Sequence, residues 1–285
     1  MVLAALTAAA VFVVQGIETK VHYRWNWSAM SRYLVHYDAQ AGGWTPGMLI
    51  QGLMTTIRLS VWTTFFATLI GVMMGLWRVS PRLFQRMVGA TFVGLVRNTP
   101  PLVLVFLFYY FLSDQIMPIL RLDEVLHRQA PFIQYLVGLV AASPTRFNSF
   151  LSAVITLSVY EGAYIAEIVR AGIRSIDRGQ WEASAALGLS RHQQMRHVIL
   201  PQAAQRILPP MAGQFISTIK DSAIVSVISV QELTFQGMEL MAATYLTFEI
   251  WITITALYFV LTFGCSRAAA RIEGAIRRSP AWVGR

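Results

Sequence analysis

Three ionisable residues lie deep inside apolar stretches of this 285-residue chain: Glu161, Lys220 and Asp221. Charges at mid-depth of a hydrocarbon layer are costly and rarely face lipid, so each needs a partner. By rise per residue, Glu161 lies about 16 Å into its apolar run and Lys220 about 15 Å into one that runs the opposite way. The two therefore share a depth. Two kinds of chemistry fit. Glu161 or Asp221 can pair with the Lys220 ammonium and hold two helices together, each charge neutralising the other. Alternatively the three line a path for a zwitterion, carboxylate facing ammonium and ammonium facing carboxylate. Arg58 lies about one turn inside its run, where it either snorkels to the interface or meets a substrate carboxylate. Glu167 precedes Arg170 by one helical turn and Arg174 by two, the spacing of a salt bridge on a helix surface.

Other chemistry has no residues to carry it. The chain lacks a Gly-x-x-x-x-Gly-Lys-Ser/Thr loop, a His-Glu-x-x-His pair and a Cys-x-x-Cys pair. The five histidines show no ligand spacing. No nucleophile–base constellation stands out, so no catalytic, cofactor or metal residue is expected. A lone Cys265 permits no internal disulfide.

The elements that hold the buried charges are membrane helices. Hydrophobic residues make up 55% of the chain and charged ones 13%, about half the charged share of a soluble domain. The net charge of +9 would suggest nucleic acid in a soluble protein, but here the arginines fall between apolar runs and report topology instead. A span needs roughly 20 apolar residues. Runs at about 53–77, 92–112, 150–173 and 246–265 qualify, and 211–230 qualifies despite Lys220 and Asp221. The apolar stretch 131–142 is too short and is expected as a loop helix at the outer interface. Residues 1–14 are expected as an additional N-terminal helix. Gly71 and Gly75, four apart, let two helices approach closely, within one subunit or between two.

Loop charges alternate. Arg78, Arg82, Arg86 and Arg97 have no acid among them, whereas Arg121, Arg128 and Arg146 are balanced by Asp114, Asp123 and Glu124. The next loop carries Arg170, Arg174, Arg178, Arg191 and Arg196. The one after has Glu232 and Glu239, and the tail has Arg267, Arg271, Arg277, Arg278 and Arg285. The positive-inside rule then puts the tail in the cytoplasm.

The stretch 176–201, IDRGQWEASAALGLSRHQQMRHVILP, is too polar to span and too long for a turn. It reads as helix, turn, helix: good helix formers from Gln180 to Leu187, Gly188 able to adopt φ > 0, Ser190 as the cap of a second helix, and Pro201 breaking or beginning the next element. This stretch resembles the EAA loop of ABC-transporter permeases: Glu-Ala-Ala, three residues, Gly, nine residues, Ile-x-Leu-Pro. Glu182, Ala183, Ser184, Gly188, Val198, Leu200 and Pro201 occupy those positions, with Ser for the third small residue and Val for Ile. Four further stretches are similar to the polar amino-acid uptake branch: TTIRLSVWTTFFATLIGVMMGLWRVS, RNTPPLVLVFLFYY, YEGAYIAEIVRAGI and FISTIKDSAIVSVISVQELT.

The resemblance covers 47–271. It implies an all-α polytopic transmembrane bundle with a five-helix importer core, residues 49–271, preceded by an N-terminal segment and outer loop (1–48) and followed by a cytoplasmic tail (272–285). It implies a multi-pass subunit of the bacterial cytoplasmic (inner) membrane that moves polar amino acids and is not itself an enzyme. The implied partners are an ABC ATPase that consumes the ATP, a second permease subunit, an extracytoplasmic substrate-binding protein and the bilayer, with no nucleic acid. An ion-coupled secondary transporter is the competing reading, served by Glu161, Lys220 and Asp221 but leaving the 176–201 loop unexplained.

Overall fold

The computed structural model describes residues 23–39, 42–113, 115, 117, 119 and 121–277. The helix expected at 1–14 and the tail beyond 277 lie outside the described residues.

A short helix α1 (Ser28–Leu34) leads into an antiparallel hairpin, β1 (Val35–Asp38) and β2 (Gly43–Pro46), in which Tyr37 pairs with Trp44. Everything after it is helical. The first long helix, α2 (Met48–Arg78), is long and apolar enough to cross a membrane and is apolar around its circumference. Its buried positions are mostly small: Gly52, Thr56, Ser60, Thr63, Ala67, Gly71 and Gly75. Its large residues, Val61, Phe65, Leu69 and Met73 among them, face outward. In water this would be inside out. In lipid, where large apolar side chains gain nothing by hiding, small residues let helices pack backbone to backbone.

The partner in that packing is α7 (Phe147–Arg174), the most buried helix of the bundle, entered through a 3₁₀ turn at Pro144–Arg146. Gly71 abuts Ile165, and Gly75 abuts Val169. The Gly-x-x-x-Gly pair therefore serves contact within one subunit.

The run expected as a single span at 92–112 is broken. Helix α3 (Leu83–Asn98) and helix α4 (Pro101–Leu107), which continues as a π-helical turn through Ser113, meet at 110°. Two consecutive prolines remove N–H donors and hold the preceding residues extended, with Thr99 at ψ 135° and Pro100 at ψ 135°. Pro101 begins the new helix, but Asn98 and Thr99 do not cap it. Their side chains donate back to Gly94 O at 2.7 Å and Leu95 O at 2.8 Å and so finish α3.

After α5 (Leu122–His127), the apolar segment at 131–142 forms the helix α6 (Pro131–Val140), none of whose residues is buried. Beyond α7 come α8 (Arg178–Ala186) and α9 (Arg191–Gln193), the latter running through a π-helical turn, Gln194–Ile199, into α10 (Leu200–Asp221). The helix that carries the run expected as a span at 211–230 thus begins at Leu200, not near residue 211. Pro201 sits in the first turn, where no N–H is needed. Pro209 and Pro210 lie inside the helix, withdrawing donors from the carbonyls of Gln205 and Arg206. The helix also ends at Asp221, and a 3₁₀ helix, Ser222–Ile228, occupies what was expected as its second half. Finally α11 (Leu233–Thr244) and α12 (Thr247–Arg277) close the bundle.

Two buried acids tie these last elements down. Glu232 caps α11, accepting from Thr234 N at 2.9 Å, Phe235 N at 2.7 Å and Tyr258 Oη at 2.9 Å. Glu249 accepts from Asn26 N at 2.6 Å and from the Tyr23 hydroxyl.

Candidate functional site

The polar loop between α7 and α10 is a small folded unit. Asp177 caps α8, its side chain accepting from Gly179 N at 2.6 Å. Glu182 lies exposed and pairs with Arg178 at 2.8 Å, one turn away. Leu187 follows α8, and Gly188 turns the chain at φ +75° with open space around it. Ser190 then opens α9 with a capping box: its backbone N donates to Gln193 Oε1 at 2.9 Å while its hydroxyl accepts from Gln193 N at 3.4 Å.

One face of α8 holds to the bundle. Trp181 packs with Met195, Val198 and Leu200 on a core cluster of Ile165, Val169, Ile173, Ile176 and Ile199. Ser184 is buried and its hydroxyl donates to Trp181 O at 2.9 Å. Gln202 on α10 reaches back to Gln180 at 3.1 Å, and Arg206 donates to Ser175 O. The other face is bare: Ala183, Ala185 and Ala186 are exposed, Leu187 is 80% exposed, and Pro201 is exposed nearby. Nothing in the sequence pattern had singled out Trp181 and Ile176 as anchors. The only signal was a large apolar residue inside an otherwise polar loop.

Deeper in the bundle, Glu161 on α7 is fully buried. Gln214 Nε2 on α10 donates to its Oε2 at 2.5 Å, while its Oε1 is enclosed without a hydrogen-bond partner. Thr218 and Asp221 lie beside it. Lys220 does not join them. It is exposed, and no ion pair among the described residues links it to Glu161 or Asp221. Shared depth fixes height along a helix but not direction around it. Consecutive residues point about 100° apart, so α10 can turn only one of Lys220 and Asp221 toward α7, and Asp221 is the one. The expected Glu161–Lys220 pair is not formed.

Below Glu161 the same two helices frame a groove of about 470 Å³ lined by Arg97, Tyr164, Glu167, Arg206 and Gln214. Arg97 stacks over the Tyr164 ring at 5.2 Å. Glu167 pairs with Arg170, as its spacing predicted, and also with Arg78 at the end of α2. Gln214 thus stands between the groove and the buried carboxylate.

Arg58 neither snorkels freely nor points at Glu161. Its guanidinium donates to Gly138 O at 3.0 Å, and Trp62 Nε1 donates to Val140 O at 3.0 Å, so α2 holds the C-terminal carbonyls of α6. Among the described residues, no group of three or more His, Cys, Asp or Glu side chains is arranged to hold a metal ion.

Comparisons with known proteins agree with this architecture. Residues 67–278 match the family described as binding-protein-dependent transport system inner membrane component. The chain is 34% identical over 226 residues to the glutamine transport system permease protein GlnP of Escherichia coli (strain K12), covering 79% of this chain and 91% of that one. It is 28% identical over 232 residues to the probable glutamine ABC transporter permease protein GlnM of Bacillus subtilis (strain 168), covering 81% and 94%. A crystal structure of an amino acid ABC transporter with histidines superposes with a TM-score of 0.68 at 30% identity, over 89% of this chain and 100% of that one. The inward-facing MetNI methionine ABC transporter gives 0.61 at 20% identity, over 81% and 97%, a likeness of fold alone. With these matches running through both the bundle and its polar loop, the chain belongs to the family of binding-protein-dependent transport system inner membrane components.

Proposed function

We propose that this chain is the membrane-spanning subunit of an ATP-driven importer for polar amino acids, forming the translocation path and coupling it to a separate ATPase. The observation that carries the reading is α8: a short helix, bare and small on one face, anchored by Trp181 on the other, and ended by a glycine at φ +75°. A free surface of alanines lets another protein approach closely, and a fixed anchor transmits its motion. Glu182, Ala183, Ser184, Gly188, Leu200 and Pro201 form this coupling unit. ATP is bound and hydrolysed by the partner ATPase, and the chain itself catalyses no reaction and needs no cofactor of its own.

The remaining partners are a second permease subunit, the same chain or a paralogue, and an extracytoplasmic protein that delivers substrate. The arginine asymmetry puts α8 and the C-terminus in the cytoplasm and the Met48 end of α2 outside. Closure of the ATP-bound partners pulls on α8, and the inner core cluster passes the pull to α7 and α10. The bundle then rocks to open outward. Glu161 and Asp221 supply the path with negative charge, reached when Gln214 turns aside, while Lys220 and Arg58 supply positive charge. The amino-acid substrate class is supported by the relatives described as glutamine permeases and by the amino acid transporter structure.

The test separates backbone from surface. Gly188→Asn keeps a residue that tolerates φ > 0, whereas Gly188→Val places a β-branched side chain there at about 1–2 kcal/mol. The complex is reconstituted with its ATPase and binding protein. Gly188→Val is expected at normal membrane level with uptake lost and ATP hydrolysis unresponsive to the binding protein, and Gly188→Asn retains most of both. Full substrate-stimulated hydrolysis and uptake in Gly188→Val would falsify the coupling assignment.

A further inference from the structure

A cavity of about 320 Å³ lies between the Met48 end of α2, the segment joining α6 to α7, and the turn that follows the 3₁₀ helix Ser222–Ile228. Two guanidiniums line it, those of Arg58 and Arg146, with Ser143, Ser149 and Gln231, and no carboxylate is present among its lining residues. Arg58 is half-buried and uses one donor on Gly138 O, whereas a guanidinium has five. Arg146 is exposed, and neither arginine makes an ion pair among the described residues. Elsewhere the partly buried arginines of the bundle are neutralised: Arg78 and Arg170 share Glu167. The hydrogen bond to Gly138 O holds the Arg58 guanidinium and the 3₁₀ turn at Pro144–Arg146 holds the Arg146 backbone, so two positive charges border one small space without a counter-charge in its wall.

Like charges gathered in one cavity are unfavourable until an anion joins them. Planar guanidiniums match a carboxylate in two-point geometry, and the volume suits a single small molecule. Met54, Phe150 and Val230 add apolar wall beside the polar groups.

We propose that this cavity is an outer receiving site for the carboxylate of a small amino acid, occupied after release from the delivering protein and before the substrate reaches the depth of Glu161. It rests on the reading of the chain as an amino-acid permease with the Met48 end outside. The carboxylate is held by Arg58 and Arg146, the hydroxyls of Ser143 and Ser149 donate to it, and the ammonium remains on the open side, where the wall offers no acid. Arg58 ties the site to α6 as well, so α6 is positioned by the residue that binds.

The permease–ATPase complex in lipid nanodiscs is treated with phenylglyoxal, which modifies accessible guanidiniums, and modification of Arg146 is followed by peptide mass spectrometry. Acetate and L-glutamine slow it, while L-glutaminamide, which keeps the ammonium but lacks the carboxylate, does not. Equal rates with and without acetate and L-glutamine overturn the proposal. Protection by the substrate-free binding protein alone also overturns it, by making the cavity a dock for an acidic side chain of that protein. Acetate protection in a complex that takes up no amino acid retains the carboxylate site and overturns the importer reading instead. In uptake, Arg146→Gln raises the apparent KM roughly tenfold, the loss of one charge-assisted contact, with maximal rate unchanged and partial recovery in Arg146→Lys. An unchanged KM in Arg146→Gln refutes the site.

Discussion

The α2–α7 seam makes the sharpest prediction about the fold. A Cβ added at Gly75 would stand 2.7 Å from Val169 Cβ, 2.8 Å from Val169 Cγ1 and 2.9 Å from Ala166 O. None of these atoms can yield cheaply. Val169 is β-branched on a helix and has one favoured rotamer, and Ala166 O belongs to the backbone. The helices must separate, which strips dispersion contacts along the neighbouring turns. Overpacking of this kind costs about 1–3 kcal/mol, so Gly75→Ala should lower the unfolding free energy by that amount. Val169→Ala removes the atoms in the way. Alone it should cost roughly 1 kcal/mol for the lost methyl contacts, but combined with Gly75→Ala it should recover most of the loss, a coupling of about 0.5–3 kcal/mol. Thermal unfolding of the four proteins in one detergent closes the cycle. Additive losses in the double variant would refute the reasoning. So would a Gly75→Ala protein of native stability whose subunits separate, because the glycine would then serve contact between subunits.

Two further predictions concern charge. Lys220→Gln should leave stability within about 0.5 kcal/mol, as expected of an exposed residue without a close partner, whereas Glu161→Gln should fold, keep its contact with Gln214 and lose uptake; rescue of a destabilised Glu161→Gln by Lys220→Gln would restore the ion-pair reading that the geometry rejects. With Cys265 replaced by Ala, a cysteine at Gln129 should react with an impermeant maleimide in intact cells and one at Arg86 only after the membrane is opened; the reverse pattern would invert the orientation drawn from the arginines.

The sequence alone settled the bundle, because a membrane makes length and apolarity sufficient. The runs at 53–77, 150–173 and 246–265 lie within α2, α7 and α12, or extend no further than one residue beyond them. The polar loop was equally legible, since its signals are local. Gly188 adopts φ +75° and Ser190 forms its cap from residues within a few positions of each. Proline was harder to read. Pro100 and Pro101 break a run that hydropathy joins, while Pro209 and Pro210 lie within a helix that they were expected to precede. The same residue type bends or is absorbed according to whether neighbouring helices supply the missing hydrogen bonds.

What only the tertiary structure decided is direction around each helix. Depth placed Glu161 level with Lys220, but the azimuth of α10 delivered Asp221 and Gln214 instead. Arg58 found Gly138 O, and Glu167 found Arg78 in addition to the neighbour its spacing announced. Glu232, which the sequence marks only as a loop acid, and Glu249, near the start of the run at 246–265, are both fully buried. Both take a partner from far along the chain, Tyr258 for Glu232 and Asn26 for Glu249. A linear pattern reports period and composition along one element. Which side chain meets which across a helix–helix interface depends on how the small-residue seams rotate the helices against one another, and that rotation is fixed only when all of them pack at once.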